Sequence, residues 1–364
     1  MTWPMYSEKC RKAVDALLRK GGSLSAYRAN PQVGVEPREG SYAWRLEREI
    51  ERRFRVRHAV AVNSGTAALH CALASLRLQR GDQVITSPFT FSATASAIVL
   101  AGGTPVFADV DPYTFNITPE TVKPLITKKT KAILPVSLFG GMADVHGLQA
   151  FGLPVVEDAC QAVGARNQHG YAGTHGLAGA YSMNGGKNVP AGECGVMVTN
   201  DADVALRARY LMNHGENFHQ KEVGLNYRPN EVTACIAYHG LLELEERNQR
   251  RKDLVRTLED SFGLLPRASW DEHVWYVYPF RVKRGTRERF CKLMAKRGIP
   301  VGAGYLTPPL HKYPAFRKYA RGPLPVVEEL SSKTLCILST LTPDKPLSYA
   351  RKVAKAMRDS LCER

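Results

Sequence analysis

The sequence predicts an α/β protein with a mainly parallel central sheet, followed by a smaller α+β domain. Short apolar strands alternate with helices over residues 58–156, and this alternation is typical of parallel sheets that carry helices on both faces. The chain has 364 residues, of which 44% are hydrophobic and 23% charged, which is ordinary for a globular protein and enough for two domains. We expect a large domain over residues 1–245, including the N-terminal segment, and a small domain over residues 246–364.

The N-terminal segment contains two predicted helices with a loop between them. Residues 8–20 have helical spacing, and Gly21-Gly22 ends that helix. Residues 23–40 are rich in Gly, Pro, Ser and Arg, a composition that predicts an ordered loop at the mouth of a site or at an interface. Residues 41–55 are again helical and strongly charged.

Strands and helices then follow in alternation. The strands are predicted at residues 58–62, 83–86, 104–108, 132–136 and 154–156, and the helices at residues 67–76, 92–101, 119–126 and 144–150. Ligands of such sheets bind beyond the carboxyl ends of the strands. Asn63, Phe91, Asp158 and Ser182 are all expected at or just after such ends.

An anion site is predicted where the first of these strands turns into its helix. Asn63-Ser64-Gly65-Thr66 breaks the apolar pattern between the two elements. The free N–H groups and the dipole of a helix N-terminus both attract an anion. The same four residues could instead form a plain turn.

The small domain is predicted to begin near a long, polar-faced helix at residues 231–260. After it we expect a strand pair around residues 275–282, a helix at residues 286–297 and a terminal helix at residues 346–361. This combination indicates a compact α+β unit.

The formal net charge of +16 admits three interpretations. The surface binds nucleic acid, or attracts a small anionic substrate such as a nucleotide diphosphate, or is basic without a specific role. The basic residues are scattered along the chain, and no single arm or recognition helix gathers them. We therefore expect no nucleic-acid partner.

Composition disfavours several other classes. The eight cysteines are dispersed without a CxxC pair, so neither a zinc site nor a disulfide framework is expected, and no metal is predicted. The sequence has no run of about 18 apolar residues, and its first residues lack the pattern of a signal peptide. We expect a cytoplasmic protein with reduced thiols and no membrane contact.

Asp158 and Lys187 indicate the chemistry. Val155-Val156-Glu157-Asp158 is an apolar strand pattern that ends in an acid, and a Gly-rich loop runs from Ser182 to Lys187. This layout suits pyridoxal phosphate (PLP), because the lysine can bind the cofactor covalently and shuttle a proton. The aspartate can keep the pyridine nitrogen protonated, and the serine hydroxyl can reach the phosphate. The chain is therefore predicted to be an enzyme.

A series of motifs adds to these two residues. They are Asn63-Ser64-Gly65-Thr66-Ala67-Ala68-Leu69, Pro88-Phe89-Thr90-Phe91, Phe107-Ala108-Asp109-Val110-Asp111, Glu157-Asp158-Ala159-Cys160-Gln161, Ser182 with Lys187, Ala191-Gly192-Glu193, Asn213-His214-Gly215, Leu225-Asn226-Tyr227-Arg228 and Gly298-Ile299-Pro300. In order and spacing they resemble the DegT/DnrJ/EryC1/StrS family of PLP-dependent sugar aminotransferases. The resemblance implies the aspartate aminotransferase-like fold (PLP fold type I) and a homodimer with shared active sites.

The resemblance also implies a role for each site residue. Lys187 would bind the cofactor and act as the acid and base. Asp158 would pair with the pyridine nitrogen, Gln161 would lie near the 3-hydroxyl, and Phe91 would stack on the ring. Gly65, Thr66 and Ser182 would hold the phosphate, and Asn226 would reach the phosphate of the neighbouring subunit's cofactor. Simpler interpretations stay open at this point. Lys187 could be a surface charge, Asp158 a helix N-cap, Phe91 a core residue and Asn226 a turn residue.

The implied activity is a two-stage transamination. Glutamate or glutamine would convert the cofactor to pyridoxamine phosphate, which would then aminate a keto-sugar. The resemblance implies a nucleotide-diphosphate-linked keto-deoxysugar. Arg28 and Arg228 are positioned in the sequence to contact a diphosphate. The competing interpretations are a cyclitol (inosose) aminotransferase and a non-catalytic PLP-binding relative. Retention of Lys187 argues against the dehydratase branch, which has His at that position. Ser137 replaces a usual His, a departure that affects the identity of the substrate.

Overall fold

The structure, a computed structural model of the chain, describes residues 5–30, 34–215, 223–260, 272–302, 304–339 and 342–362. Its α-helices are α1 (Glu8–Lys20), α2 (Tyr42–Phe54), α3 (Gly65–Ala74), α4 (Ser92–Leu100), α5 (Pro119–Val122), α6 (Val145–Gln149), α7 (Ala202–Met212), α8 (Glu231–Leu242), α9 (Leu244–Glu259), α10 (Arg287–Lys296), α11 (Pro325–Glu329) and α12 (Leu347–Cys362). Within these ranges, no helix combines the length and the apolarity needed to cross a bilayer.

The strands are short and most of them are buried. They are β1 (Tyr27–Asn30), β2 (Gly34–Pro37), β3 (His58–Val62), β4 (Gln83–Thr86), β5 (Thr104–Phe107), β6 (Thr130–Leu134), β7 (Val156–Asp158), β8 (Arg166–Asn167), β9 (Gly170–Tyr171), β10 (Ala178–Ser182), β11 (Gly195–Thr199), β12 (Tyr278–Arg281) and β13 (Leu335–Leu338). The predicted alternation of strands and helices from residue 58 onwards is therefore observed, with ends that differ by one or a few residues.

A central sheet links strands in the order β3-β11-β10-β7-β6-β4-β5. The groups β3-β11-β10-β7 and β5-β4-β6 are each hydrogen-bonded, and parallel bridges from Ile133 to Val155 and from Val136 to Asp158 join them. Strand β11 is antiparallel to both of its neighbours, whereas the other pairs are parallel. The prediction of a mainly parallel sheet is confirmed.

Both faces of the sheet are covered by helices, and strand β3 shows how its sequence permits this. Ala59 and Ala61 pack into a core cluster with α2 and α8, while Val60 and Val62 pack into a second cluster with α3 and α7. Side chains alternate between the two faces of a strand. A continuous apolar run is therefore what a strand buried on both faces requires.

A further apolar cluster lies in the C-terminal part of the chain. It packs Phe280 of β12 against α9 and α12 through Leu258 and Met357, among others, and β12 pairs antiparallel with β13. Helix α9 begins in the first cluster with Leu244 and ends in the C-terminal cluster with Leu258. The proposed boundary between residues 245 and 246 falls in the first turn of α9, and it stays a prediction.

The predictions for residues 23–40 and for residues 231–260 are wrong. Residues 23–40 are not a loop throughout, because β1 and β2 form an antiparallel hairpin that pairs Tyr27 with Pro37. Residues 231–260 are not one helix. Glu243 separates α8 from α9, and its φ of −96° and ψ of 1° lie outside the helical region. Because this position is neither Gly nor Pro, the sequence does not indicate the break.

The predicted strand pair around residues 275–282 is also wrong. Only one strand, β12, forms there, and its partner β13 lies more than fifty residues further along the chain. Local composition identifies a strand but does not show where its partner lies, because pairing between distant segments is decided by tertiary packing.

A buried ion pair links α2 to α7 along the free edge of β3, the terminal strand of the sheet. Arg209 Nη1 and Nη2 donate to Glu47 Oε1 and Oε2 at 2.8 Å and 2.6 Å, and Glu47 Oε1 also accepts from the Ala61 backbone N–H at 2.8 Å. Glu47 is fully buried. Arg209 therefore supplies the hydrogen bonds and the opposite charge that the Glu47 carboxylate cannot obtain from water.

Substitution of Arg209 by Ala is expected to lower the free energy of unfolding by about 3–5 kcal/mol, because it removes the nearest cation of a buried carboxylate. The remaining cation, Arg48, lies 3.9 Å from Glu47 Oε2. Arg52→Ala is the matched control, since Arg52 forms an exposed pair with Glu49 on the same helix as Glu47. We expect little change from the control. Urea unfolding measures both variants, and equal losses would show that burial of the pair is not the cause.

Candidate active site

The carboxyl edge of the sheet forms a cavity of about 260 Å³. Strands β3, β4, β7 and β10 run in the same direction, so the residues that follow them meet at this edge. The lining includes residues that the sequence predicts for the cofactor, namely Gly65, Thr66, Phe91, Asp158, Gln161, Ser182 and Lys187. It also includes Thr94, Cys160, Asn184, Glu193 and Tyr276.

Asp158 is the last residue of β7 and is almost fully buried. Its Oδ2 accepts a hydrogen bond from Thr94 Oγ1 at 2.7 Å, and its Oδ1 accepts one from the Cys160 backbone N–H at 3.2 Å. Thr94 Oγ1 is in turn 3.0 Å from Thr90 Oγ1. No regular helix follows Asp158, so it is not a helix N-cap. The carboxylate is held in one orientation at the wall of the cavity.

Cys160 lies beside this carboxylate. Burial, and after it the charge of Asp158, raise the pKa of the Cys160 thiol well above its ordinary range, while Lys187 opposes the shift. The sulfur is 3.6 Å from the Ala180 carbonyl oxygen. Cys160 is therefore an uncharged part of the wall and not a nucleophile, because the thiolate is the reactive form.

Gly65 begins helix α3 at the cavity. The Ser64 hydroxyl caps the helix by accepting from the Ala67 N–H at 3.1 Å. A Cβ atom built on Gly65 would lie 2.7 Å from Ser182 Cβ and 2.9 Å from Cys160 Sγ. Glycine therefore lets the first turn of α3 approach β10 closely. The N–H groups and dipole of such a helix start suit a phosphate.

Lys187 reaches the cavity from the loop after β10. Its N–H donates to the Asn184 carbonyl oxygen at 2.9 Å, and Asn184 Nδ2 donates to Glu193 Oε1 at 2.9 Å. Lys187 Nζ lies 4.2 Å from the centre of the Tyr276 ring, within the range of a cation–π contact. Lys187 is thus a cavity residue and not a solvated surface charge.

The other predicted cofactor residues meet the same cavity in different ways. Gln161 is buried, and its Oε1 accepts from the Phe139 N–H at 3.0 Å. The Ser182 hydroxyl accepts from the Asn184 N–H at 3.4 Å. Phe91 is 56% exposed, so it is a residue of the cavity rim and not a core residue.

Arg228 and Asn226 lie next to this cavity and do not line it. Arg228 lines a second cavity of about 460 Å³, which shares Ser64 and Glu193 with the first. Arg228 Nη1 donates to Asn213 Oδ1, and its Nε donates to Asn226 Oδ1 at 3.3 Å. These two acceptors orient the guanidinium group at the second cavity.

Arg28 is not brought to either cavity. It lies on β1 of the hairpin, and its Nη2 is 2.7 Å from Glu36 Oε1 on β2, with about half of the Arg28 side chain exposed. The described lining of the two cavities does not include Arg28. Its predicted contact with a diphosphate therefore has no geometric support in the chain as described.

Sequence reasoning missed two residues that touch the predicted ones. Thr94 lies one helical turn after Phe91, and that spacing on α4 could have identified it. Tyr276 belongs to a distant segment, and no local pattern connects it with Lys187. Only the tertiary structure shows their contact.

This set of groups fits PLP. Lys187 offers an amine, Asp158 offers a buried and oriented carboxylate for the pyridine nitrogen, and Gly65 with Ser182 forms a close-packed start of a helix for the phosphate. A lysine, an acid and a phosphate cradle at the carboxyl edge of a mainly parallel sheet define a PLP-dependent enzyme of the aspartate aminotransferase fold.

The particular family follows from comparison with known proteins. Residues 32–357 match the DegT/DnrJ/EryC1/StrS aminotransferase family. Because this match spans most of the chain, the protein belongs to that family. The family is one of PLP-dependent sugar aminotransferases, and the protein is an enzyme of this kind.

Individual proteins also resemble the chain in sequence or in fold. The chain is 36% identical over 315 residues to a "Pleiotropic regulatory protein" of Geobacillus stearothermophilus, covering 82% of this chain and 84% of that protein. Its fold resembles DesV of S. venezuelae, solved in complex with a ketimine intermediate, with 29% identity, a TM-score of 0.87 and coverage of 98% and 95%. It also resembles DesI, solved in the presence of its TDP-sugar product, with 25% identity, a TM-score of 0.84 and coverage of 98% and 91%.

Gly65→Ala is expected to weaken PLP binding by about 1–3 kcal/mol, roughly tenfold or more in the dissociation constant, because its methyl group would overpack the contact with Ser182. Titration of the apoenzyme with PLP, followed by the visible absorbance band, measures this. Gly302→Ala is the control, since a Cβ there meets nothing closer than 3.9 Å. An unchanged dissociation constant for Gly65→Ala would rule out a phosphate cradle at this helix.

Proposed function

We propose that the protein transfers an amino group from glutamate or glutamine to a keto-deoxysugar carried on a nucleoside diphosphate. The reaction converts the donor to its 2-oxo acid and the ketone of the sugar to an amine. The observation that carries the nucleotide part is the second cavity, which adjoins the first at Ser64 and Glu193 and presents the Arg228 guanidinium. A sugar at Lys187 could extend its diphosphate into that space.

Two further observations support an anionic substrate. DesI, which shares the fold and 25% of its residues, was solved with a TDP-sugar product. The formal net charge of +16 would also raise the local concentration of a diphosphate. An arginine held by two side-chain oxygens is well suited to phosphate, because its planar fork needs little further ordering.

Some residues of the site would bind the cofactor, and Lys187 would transfer protons. When bound, PLP supplies an electron-withdrawing ring that makes the hydrogen beside the amino nitrogen acidic. Lys187 Nζ would remove a proton from the α-carbon of the donor and would later deliver one to the carbon that receives nitrogen in the sugar. Thr94 and the Cys160 N–H fix the Asp158 carboxylate, so that it can pair with a protonated pyridine nitrogen without reorganising.

The test is a screen of UDP-, GDP- and dTDP-linked keto-deoxysugars with glutamate or glutamine as the donor. Mass spectrometry detects conversion of the ketone to the amine. Lys187→Ala is expected to abolish both turnover and the visible cofactor band, whereas Lys352→Ala, an exposed lysine on α12, should retain both. Amination of an inosose without competition by nucleoside diphosphates would instead identify a cyclitol aminotransferase. PLP binding without any single-turnover reaction would identify a non-catalytic relative.

We also infer that the enzyme works as a homodimer in which each subunit completes the other's site. Asn226 is exposed and accepts from Arg228, which lines the second cavity, and the residues just before it have apolar exposure. Val223 is 92% exposed and Leu225 is 42% exposed, so the segment offers apolar surface that a partner subunit could cover. A partner subunit that covers this segment would bring Asn226 towards its own PLP.

Mixed dimers test the shared site. Lys187→Ala and Asn226→Ala subunits are each expected to be inactive or strongly impaired alone. A co-expressed mixture should regain activity, because one of the two sites in a mixed dimer combines an intact Lys187 with an intact Asn226. No recovery in mixed dimers, or a monomer by sedimentation, would contradict the shared site.

A further inference from the structure

Tyr276 reaches Lys187 from a segment that is anchored on several sides. The Val274 N–H donates to the Gly140 carbonyl oxygen at 3.0 Å. A Cβ on Gly140 would lie 2.8 Å from the Trp275 nitrogen and 2.9 Å from the Tyr276 nitrogen. Residues 273–276 are thus packed tightly against the turn that contains Gly140, and they present the Tyr276 ring to the amine.

Asn188 connects this segment with the lysine loop. It follows Lys187 directly, is almost fully buried, and its Nδ2 donates to Asn248 Oδ1 at 2.7 Å and to the Val274 carbonyl oxygen at 3.1 Å. Asn248 Nδ2 donates in turn to the Val163 carbonyl oxygen at 3.1 Å. The position of the residue after Lys187 is therefore set from helix α9.

Arg251 holds the other end of the segment. Its Nη1 lies 3.2 Å from the Tyr276 carbonyl oxygen and 3.4 Å from that of Trp275. Arg251 is 4% exposed, and burial lowers its pKa to about 10, so it stays charged at neutral pH. Asn248 and Arg251 are three residues apart on α9 and thus lie on one face of the helix.

Stability alone does not account for this arrangement. Among the described residues, Arg251 Nε and Asn188 Oδ1 are buried without a hydrogen-bond partner. A buried cation with an unsatisfied donor costs free energy, and so does a buried amide oxygen without a donor. Arg251 bonds to the Tyr276 carbonyl oxygen, and Asn188 follows Lys187 in the chain, so both groups adjoin the contact between Tyr276 and Lys187 Nζ.

We propose that Asn248 and Arg251 are positioning residues for Lys187, which fix the lysine loop and the segment 273–276 so that the face of Tyr276 stays against the amine. Tyr276 touches the reacting amine and is assigned as a catalytic residue. Asn248 and Arg251 act through Tyr276 and Asn188. The assignment concerns the amine of the apoenzyme and is independent of which sugar or donor the enzyme uses.

The first test uses the apoenzyme with Arg251→Met and Asn248→Ala. Hydrogen–deuterium exchange of residues 273–278 should increase in both variants. The rate at which added PLP produces the visible band should fall about tenfold, because small displacements of a reacting group cost one to two orders of magnitude. The melting temperature of Arg251→Met should change little, because the cost of burying the charge is removed together with its hydrogen bonds to the two carbonyl oxygens. Arg250→Met and Gln249→Ala, neighbours on the more exposed side of α9, are the controls and should leave all three readouts unchanged.

The second test asks whether Arg251 acts through Tyr276. Tyr276→Phe keeps the ring face and should react with PLP at nearly the original rate, whereas Tyr276→Leu should react about as slowly as Arg251→Met. In the Tyr276→Leu background, Arg251→Met should cause no further slowing, since residues that act as a unit are not additive. If Arg251→Met folds poorly, Asn248→Ala takes its place in this cycle. The assignment would be overturned if the double variant slowed the reaction with PLP by the product of the two single effects. It would also be overturned if Arg251→Met lowered the melting temperature but left the rate of the reaction with PLP unchanged.

Discussion

The parallel pairing of β7 with β10 is the constraint on which the active site depends. It places Asp158 opposite Ala180, two residues before Ser182 and on the way to the lysine loop. Successive side chains of a strand face opposite sides of the sheet, so a slip by one residue would turn Asp158 away from the cavity and bring Glu157 towards it. The chemistry of the site therefore requires a fixed register as well as the right residues.

Glu157 helps to fix that register from the other side of the sheet. It is buried, and it accepts hydrogen bonds of 2.7 Å from the backbone N–H groups of Gly173, His175 and Gly176. Burial raises the pKa of Glu157 to about 7, and the three N–H donors oppose that shift. Adjacent acids on one strand thus have different tasks. Glu157 anchors a loop behind the sheet, while Asp158 faces the cavity.

The sequence was informative where function depends on local geometry. A strand that ends in Asp158, a glycine at a helix start and a lysine in a short loop are each visible within a few residues, and the parallel sheet brings them together. The pairing of β1 with β2, the break at Glu243 and the partner of β12 were not predicted, because composition alone does not show how separate segments pack. Arg28 was placed at the substrate by its position alone, and the hairpin instead pairs it with Glu36.

Helix α9 shows why the division into domains and the division into functions need not coincide. The sequence boundary between residues 245 and 246 assigns nearly all of α9 to the small domain, and Leu258 does pack in the C-terminal cluster. Yet Asn248 and Arg251, on the same helix, bond to the lysine loop and to the segment that carries Tyr276. Helix α9 therefore contributes side chains both to the C-terminal cluster and to the site, whichever side of it the domain boundary is drawn.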